Sequence, residues 1–169
     1  MKITPIVGKF ESNTFIVQSG DTIIIVDAGA PLKKLQAALD GRVPNAIFLT
    51  HEHFDHVFYL DDYKKAFACP VYAPTDETEI VVGEFVIKPL QCPGHSPQSV
   101  VYIIGDDLFT GDVLFDGTIG RTDLMPNGPV LMAKTLKKLL NVKFKTAHHG
   151  HYASTTYADQ QKNIRGFLK

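Results

Sequence analysis

The chain has 169 residues, the length of one domain, and its 44% hydrophobic and 21% charged residues exclude a disordered or low-complexity protein. With 17 basic residues against 18 acidic ones the net charge is -1, so there is no basic block to neutralise a run of phosphates, and nucleic acid is not expected as a partner. Its two cysteines, Cys69 and Cys92, form no CxxC pair, which excludes a disulfide-stapled scaffold and a cysteine zinc site.

The segment from Met1 to Lys9 lacks both the unbroken apolar core and the small-residue cleavage site of a signal peptide. The longest strongly apolar stretch, Thr22 to Val26, is too short to cross a bilayer. A cytoplasmic protein without membrane attachment is the expectation. Thr14 to Gln18 and Thr22 to Asp27 are β-branched runs joined by Ser19-Gly20-Asp21, which predicts a hairpin. Pro31 then opens a helix, because Leu32, Leu35 and Leu39 recur at helical spacing and Gly41 can stop it. Ala46 to Leu49 is a short continuous apolar run, the pattern of a strand buried on both faces. A helix is predicted from Asp55 to about Phe67, and a strand over Pro70 to Ala73.

The second half repeats this order of elements without repeating its sequence. Strands are predicted at Phe85 to Leu90, Ser99 to Ile104 and Asp107 to Thr110, a helix from about Val130 to Leu140, a strand near Val142 to Ala147, and a last helix from about Thr155 to Phe167. Strand runs interleaved with amphipathic helices point to an α/β fold, a four-layer αββα sandwich of two mixed sheets with outer helices. No linker or repeat interrupts it, so residues 1–169 are read as a single domain.

Only 7 histidines occur in the chain, yet three lie in Thr50-His51-Glu52-His53-Phe54-Asp55-His56, directly after the buried strand. In an extended segment His51 and His53 point the same way, so both imidazoles can reach one ion. A helix starting near Asp55 turns Asp55 and His56 toward a second position. Asp55 would also suit a helix N-cap, but that leaves the histidines without a reason. Imidazole combined with carboxylate suits zinc, iron or manganese rather than calcium.

The His51-x-His53-x-Asp55-His56 pattern resembles the signature of the metallo-β-lactamase superfamily. Three further segments are similar to the family's motifs in the same order: Pro93-Gly94-His95, Gly111-Asp112 and Gly150-His151. The resemblance runs from about Asp21 to Thr155. It implies two divalent metal ions, with His51, His53 and His95 on the first, Asp55, His56 and His151 on the second, and Asp112 bridging them. It also implies that Asp27, in Asp27-Ala28-Gly29, supports the site from behind the ligands. His148 and His149 offer rival histidines beside His151, and they are expected to be strand-end or rim residues. Cys92, three residues before His95, is expected to be a small buried residue.

The resemblance narrows at Gly111-Asp112-Val113-Leu114-Phe115 and Gly120-Arg121-Thr122-Asp123, which look like the glyoxalase II-like branch, including hydroxyacylglutathione hydrolases and persulfide dioxygenases. It implies a metal-dependent hydrolase, with zinc as the expected metal, whose hydroxide attacks a thioester, ester or lactone carbonyl of a small-molecule substrate. Asp55 and Asp112 are the expected catalytic carboxylates. The alternative is a mononuclear iron oxidoreductase like the persulfide dioxygenases, using His51, His95 and Asp112, with a nuclease behind it. Arg121 and Asp123 could instead simply pin a loop by an ion pair. This chain departs from the branch where Phe58, Tyr59 and Gln98 replace glycines, and only 18 residues follow His151, where full-length glyoxalase II carries a C-terminal helical region. Carbonyl hydrolysis is therefore expected without a named substrate, and a homo-oligomer in which a second copy completes the pocket is a further expectation.

Overall fold

A computed structural model describes residues 1–169. The first sheet holds β1 (Lys2–Val7), β2 (Asn13–Ser19), β3 (Thr22–Val26), β4 (Ala46–Phe48) and β5 (Val71–Tyr72) in that spatial order. The second holds β6 (Ile80–Val82), β7 (Phe85–Gln91), β8 (Val100–Ile104), β9 (Asp107–Gly111), β10 (Thr146–His149) and β11 (Thr155–Thr156), ordered β11-β10-β9-β8-β7-β6. Both sheets are mixed: β3, β4 and β5 run parallel, as do β9 and β10, and the remaining pairs are antiparallel.

Side-chain alternation distributes the apolar residues over three interfaces. Between the sheets, Phe15, Val17, Ile24, Val26 and Phe48 meet Phe85, Ile87, Tyr102, Ile104 and Phe109. On the outer face of the first sheet, Ile23, Ile25 and Ile47 pack on Leu35 and Leu39 of α1 (Leu32–Leu39) and on Tyr63 of α3 (Leu60–Phe67). On the outer face of the second, Val101, Leu108 and Ala147 pack on Met132, Leu136 and Leu139 of α4 (Gly128–Leu139) and on Ile164 of α5 (Tyr157–Phe167). This is the αββα sandwich. It explains why β3 is buried at every residue: Ile24 and Val26 face the other sheet while Ile23 and Ile25 face helices. Burying each such side chain contributes roughly 1.5–3 kcal/mol.

Several elements differ from the sequence-based expectation. The helix predicted from Asp55 is two helices, α2 (Phe54–Val57) and α3, broken at Phe58 and Tyr59. The break has a cause: Ala28 donates its N–H to the His56 carbonyl (2.7 Å) and accepts the Tyr59 N–H (2.9 Å), so the chain after Asp27 takes bonds that a continuous helix would make within itself. The strand expected near Val142 to Ala147 lies later, at Thr146–His149, after two tight turns at Asn141 and Val142. Three short strands were not predicted. β1 is an edge strand whose Pro5 disguises it in sequence, β6 pairs with β7 through Gly83, and β11 spans only two residues before Thr156 caps α5 with Asp159.

His148 and His149 close β10, the strand-end placement expected of them, but they are buried rather than set on a rim. His148 stacks on Phe109 and bonds Asp107 and Ser154 through its two ring nitrogens. His149 lies between the Thr110 and Thr155 hydroxyls at 2.8 and 2.9 Å. Cys92 is buried, and its removal from water pushes the thiol up to about 12. No helix is long and apolar enough to cross a membrane.

Candidate metal centre

One edge of the sandwich gathers the polar residues. His51 follows β4, His95 lies in the connection from β7 to β8, Asp112 follows β9, and His151 follows β10. His53 stands at the N-terminus of α2, and Asp55 and His56 lie within it. All seven candidate ligands meet there as three overlapping triads whose donor atoms lie within 4.8 Å of one another: His51, His53 and His95; His51, His56 and Asp112; Asp55, His56 and His151. His148 and His149 take no part in any of them.

The hydrogen bonds behind the histidines assign their tautomers. Asp27 accepts the Thr50 N–H (2.8 Å) and the Thr50 hydroxyl (2.7 Å), so the Thr50 oxygen is left to accept from His51 Nδ1 at 3.1 Å. Asp27 also accepts from His56 Nδ1 at 2.8 Å. The Arg121 carbonyl accepts from His95 Nδ1, and the Glu11 carbonyl from His151 Nδ1, each at 3.0 Å. With Nδ1 protonated in all four, each Nε2 is the nitrogen turned into the cluster, and it offers a lone pair there once a cation displaces any proton it carries. His53 presents Nδ1 instead, 2.8 Å from His95 Nε2.

That contact is a hydrogen bond when His53 carries its proton on Nδ1, and a cation set between the two nitrogens would displace that proton. The carboxylates lie close by. Asp112 Oδ1 is 3.2 Å from His56 Nε2, while Oδ2 is 3.5 Å from His95 Nε2 and 3.7 Å from His151 Nε2. Asp55 Oδ2 is 3.1 Å from His151 Nε2. Within the protein, the buried atoms His51 Nε2, His56 Nε2 and Asp112 Oδ1 have no hydrogen-bond partner. Each such orphan costs about 1–3 kcal/mol, and together they aim at common points. The donor set fits a pair of divalent cations of the zinc, iron or manganese type.

The protein's own charges divide the cluster. Burial, reinforced by the neighbouring imidazoles, holds His51 far below its ordinary value, and burial lowers His95 as well. Burial also works against charge at His56, but Asp27 and Asp112 overcome it and raise that imidazole to about 10. The hydrogen bond that Asp55 accepts raises His151; at Asp55 desolvation works upward but is outweighed by that bond together with the charges of His56 and His151, so the carboxyl is lowered. Burial thus favours neutral imidazole at His51 and His95, while the carboxylates favour charge at His56 and His151.

Gly150 is required by close approach. A Cβ there would strike Asp112 Oδ1 and the His56 ring, which gives the Gly-His pairing a steric reason. A cavity of about 330 Å³ opens on the cluster, walled by His95, Asp112, Phe115, Ile119, His151 and Tyr152. A somewhat larger hollow of about 380 Å³, between Asp116 and Phe167, touches none of the ligand candidates. The Arg121 side chain pairs with Asp123 at 2.8 Å in open solvent, and its contribution to the cluster is the main-chain carbonyl on His95. Sequence reasoning missed Glu11, Ser12, Asn13 and Thr50. Thr50 adjoins the motif, but the other three lie 38–40 positions before His51 and become visible only once the sheets are packed.

Comparison with known proteins agrees with this architecture. A family model described as the metallo-beta-lactamase superfamily matches residues 7–88 and 74–151. The chain is 33% identical to the probable metallo-hydrolase YqgX of Bacillus subtilis (strain 168), over 95% of this chain and 96% of that protein. It is 32% identical to a hydroxyacylglutathione hydrolase of Xylella fastidiosa (strain M12), over 86% of this chain but only 61% of that enzyme. Among solved structures it superposes on the BLEG-1 B3 metallo-beta-lactamase with a TM-score of 0.92 at 27% identity, covering 99% of this chain and 100% of that one. It superposes on TTHA1623 in a di-iron-bound form with a TM-score of 0.84 at 29% identity, covering 95% and 98%. The matched family model, the two sheets and the histidine–aspartate cluster lead to one assignment: the chain belongs to the metallo-β-lactamase superfamily.

Proposed function

We propose that the protein is a binuclear metallohydrolase that adds water at the carbonyl carbon of a small thioester, ester or lactone and breaks its acyl C–S or C–O bond. The observation that carries this reading is the second triad: Asp55, His56 and His151 converge beside the three-histidine triad, and Asp112 turns one oxygen toward His56 and the other toward His95. In this reading His51, His53 and His95 would hold one ion, Asp55, His56 and His151 would hold the other, and Asp112 would be available to both. A pair of such ions, when bound, polarises the carbonyl and brings the pKa of a water from 15.7 to about 7.

The chain's own residues supply the rest. Four Nδ1–H groups locked on Thr50, Asp27, Arg121 and Glu11 keep the imidazoles from rotating, so the donor geometry is set before substrate arrives. Asp55 turns Oδ2 toward His151 Nε2 and His56 Nε2, so its part in this reading is that of a ligand to the second position. Phe115, Ile119 and Tyr152 give the cavity an apolar wall for a small acyl group. The resemblance to hydroxyacylglutathione hydrolase supports thioester chemistry, although this chain spans less than two thirds of that enzyme.

The second reading, a mononuclear iron oxidoreductase on His51, His95 and Asp112, draws on the Gly120-Arg121-Thr122-Asp123 segment. Elemental analysis of protein purified anaerobically without chelators separates the two. Close to two ions per chain, with thioester hydrolysis lost to a chelator and restored by metal, supports the hydrolase. Close to one iron per chain, with oxygen uptake on a persulfide, overturns it in favour of the oxidoreductase.

A further inference from the structure

The two halves of the cluster are supported differently. The three-histidine half is oriented by Thr50 and by the Arg121 carbonyl. The half containing Asp55 and His151 is tied to the turn that joins β1 to β2. Glu11 holds His151 Nδ1 through its carbonyl (3.0 Å), and the adjacent Ser12 donates its hydroxyl to the Asp55 carbonyl (2.6 Å). Asn13 then binds the strand end that carries His151 on three counts: its N–H reaches the Gly150 carbonyl at 2.6 Å, and its side-chain amide reaches the His149 and Tyr152 carbonyls, each at 2.9 Å.

The Ser12 and Asn13 contacts are interior, whereas the Glu11 carbonyl meets His151 at the surface. Ser12 is 0% and Asn13 5% exposed, so neither bond competes with water. The turn is fixed in its own right, with the Gly8 N–H on the Ser12 carbonyl at 2.8 Å and Glu11 at φ 63°, in the left-handed region. A side chain at Gly29 would collide with both the Ser12 hydroxyl and the Asp55 carbonyl, so the Ser12–Asp55 contact is built in from a third segment. Asp55 lies on α2, which follows β4 of the first sheet, and His151 follows β10 of the second, and Glu11–Asn13 bonds to both.

We infer that Glu11, Ser12 and Asn13 form a positioning clamp for the second metal position alone, setting its affinity independently of the first. The inference rests on the binuclear reading above. The clamp makes the choice between one and two bound ions a property of a turn that supplies no ligand side chain. Removing interactions that orient metal ligands costs about 10–100-fold in affinity, and here the loss falls on one ion of the two.

The test is a cobalt(II) titration of chelator-treated protein, followed by its visible absorption and by competition with a chromophoric chelator. His53→Ala and His151→Ala serve as references that assign each binding step to a half of the cluster. For Ser12→Ala and Asn13→Ala, the expected result is a step assigned to the His151 half that weakens by about 10–100-fold, with the His53 half within about twofold of the parent, and Ser12→Thr restoring the lost step. Thermal unfolding of each variant without metal identifies any that has lost its fold, and Ser12→Ala, which removes one hydrogen bond, is the variant that decides. If the parent takes up two ions and Ser12→Ala binds both as the parent does, or weakens both equally, the clamp is wrong and the binuclear reading stands. If the parent takes up only one ion, the binuclear reading fails and the clamp fails with it.

Discussion

Asp27→Asn tests whether the cluster is organised from behind. Asp27 sits at φ 62°, which asparagine tolerates, and the two side chains have the same shape, so the backbone need not move. One carboxylate oxygen accepts the Thr50 N–H and can do so as an amide oxygen. The other accepts both the Thr50 hydroxyl and His56 Nδ1–H, at 2.7 and 2.8 Å, and an amide nitrogen in its place is a donor facing two donors. The least costly response is for His56 to move its proton to Nε2, leaving Nδ1 as the acceptor and turning an N–H toward Asp112. That removes the Nε2 lone pair from the second triad. The expected loss in metal affinity is about 10–100-fold, or about 1.4–2.8 kcal/mol, with a stability loss of about 1–3 kcal/mol from the unmatched donor. Chelator competition measures the first, urea unfolding the second, and nitrogen-15 NMR of the imidazoles reads the tautomer. Unchanged affinity together with an unchanged His56 tautomer would refute the reasoning, because the proton on Nδ1 would then not depend on Asp27.

Asp112→Ala is expected to lose metal and hydrolysis together, measured as metal per chain and turnover on a thioester panel; a full metal load with normal turnover would remove Asp112 from its bridging position. Gly150→Ala should likewise empty the cluster, because the added methyl meets Asp112 Oδ1 and the His56 ring, and elemental analysis of the folded variant reads this directly. Cys92→Ala should leave metal content and turnover unchanged, and Cys92 should react with a thiol reagent only after unfolding, since its thiol is buried and raised to about 12. His149 supplies a pH dependence. Burial, with His148 beside it, lowers its folded pKa from 6.5 to about 4, so between those values the unfolded chain binds the proton and the folded chain does not. Stability is therefore present above the unfolded value and lost as pH falls toward 4, by about 2 kcal/mol at pH 5. Urea unfolding in chelator at pH 7 and pH 5 should show His149→Gln losing less stability than the parent over that interval.

Much of the fold was legible because periodicity survives wherever a whole face is buried. The run Thr22 to Val26 and the leucines 32, 35 and 39 declare their elements, since every residue on the buried side must be apolar. Elements held by few side chains were not legible. Two-residue β11 and edge strand β1 owe their form to backbone pairing with a neighbour already in place, and the break at Phe58–Tyr59 is imposed by Ala28, about 30 positions away. Local composition carries no record of such bonds.

The same division holds at the cluster. By itself the sequence set histidine and aspartate in the close spacing His51-x-His53-x-Asp55-His56, which permits few geometries, and their grouping with His95, Asp112 and His151 came through resemblance. It also placed Asp27 behind them through resemblance. Only the tertiary structure decided which ring nitrogen each histidine turns inward, that His148 and His149 are interior braces, and that a turn from Glu11 to Asn13 grips Asp55 and His151. Those outcomes depend on main-chain carbonyls and amides meeting across two packed sheets. Every residue type carries those groups, so no residue name announces where they will meet.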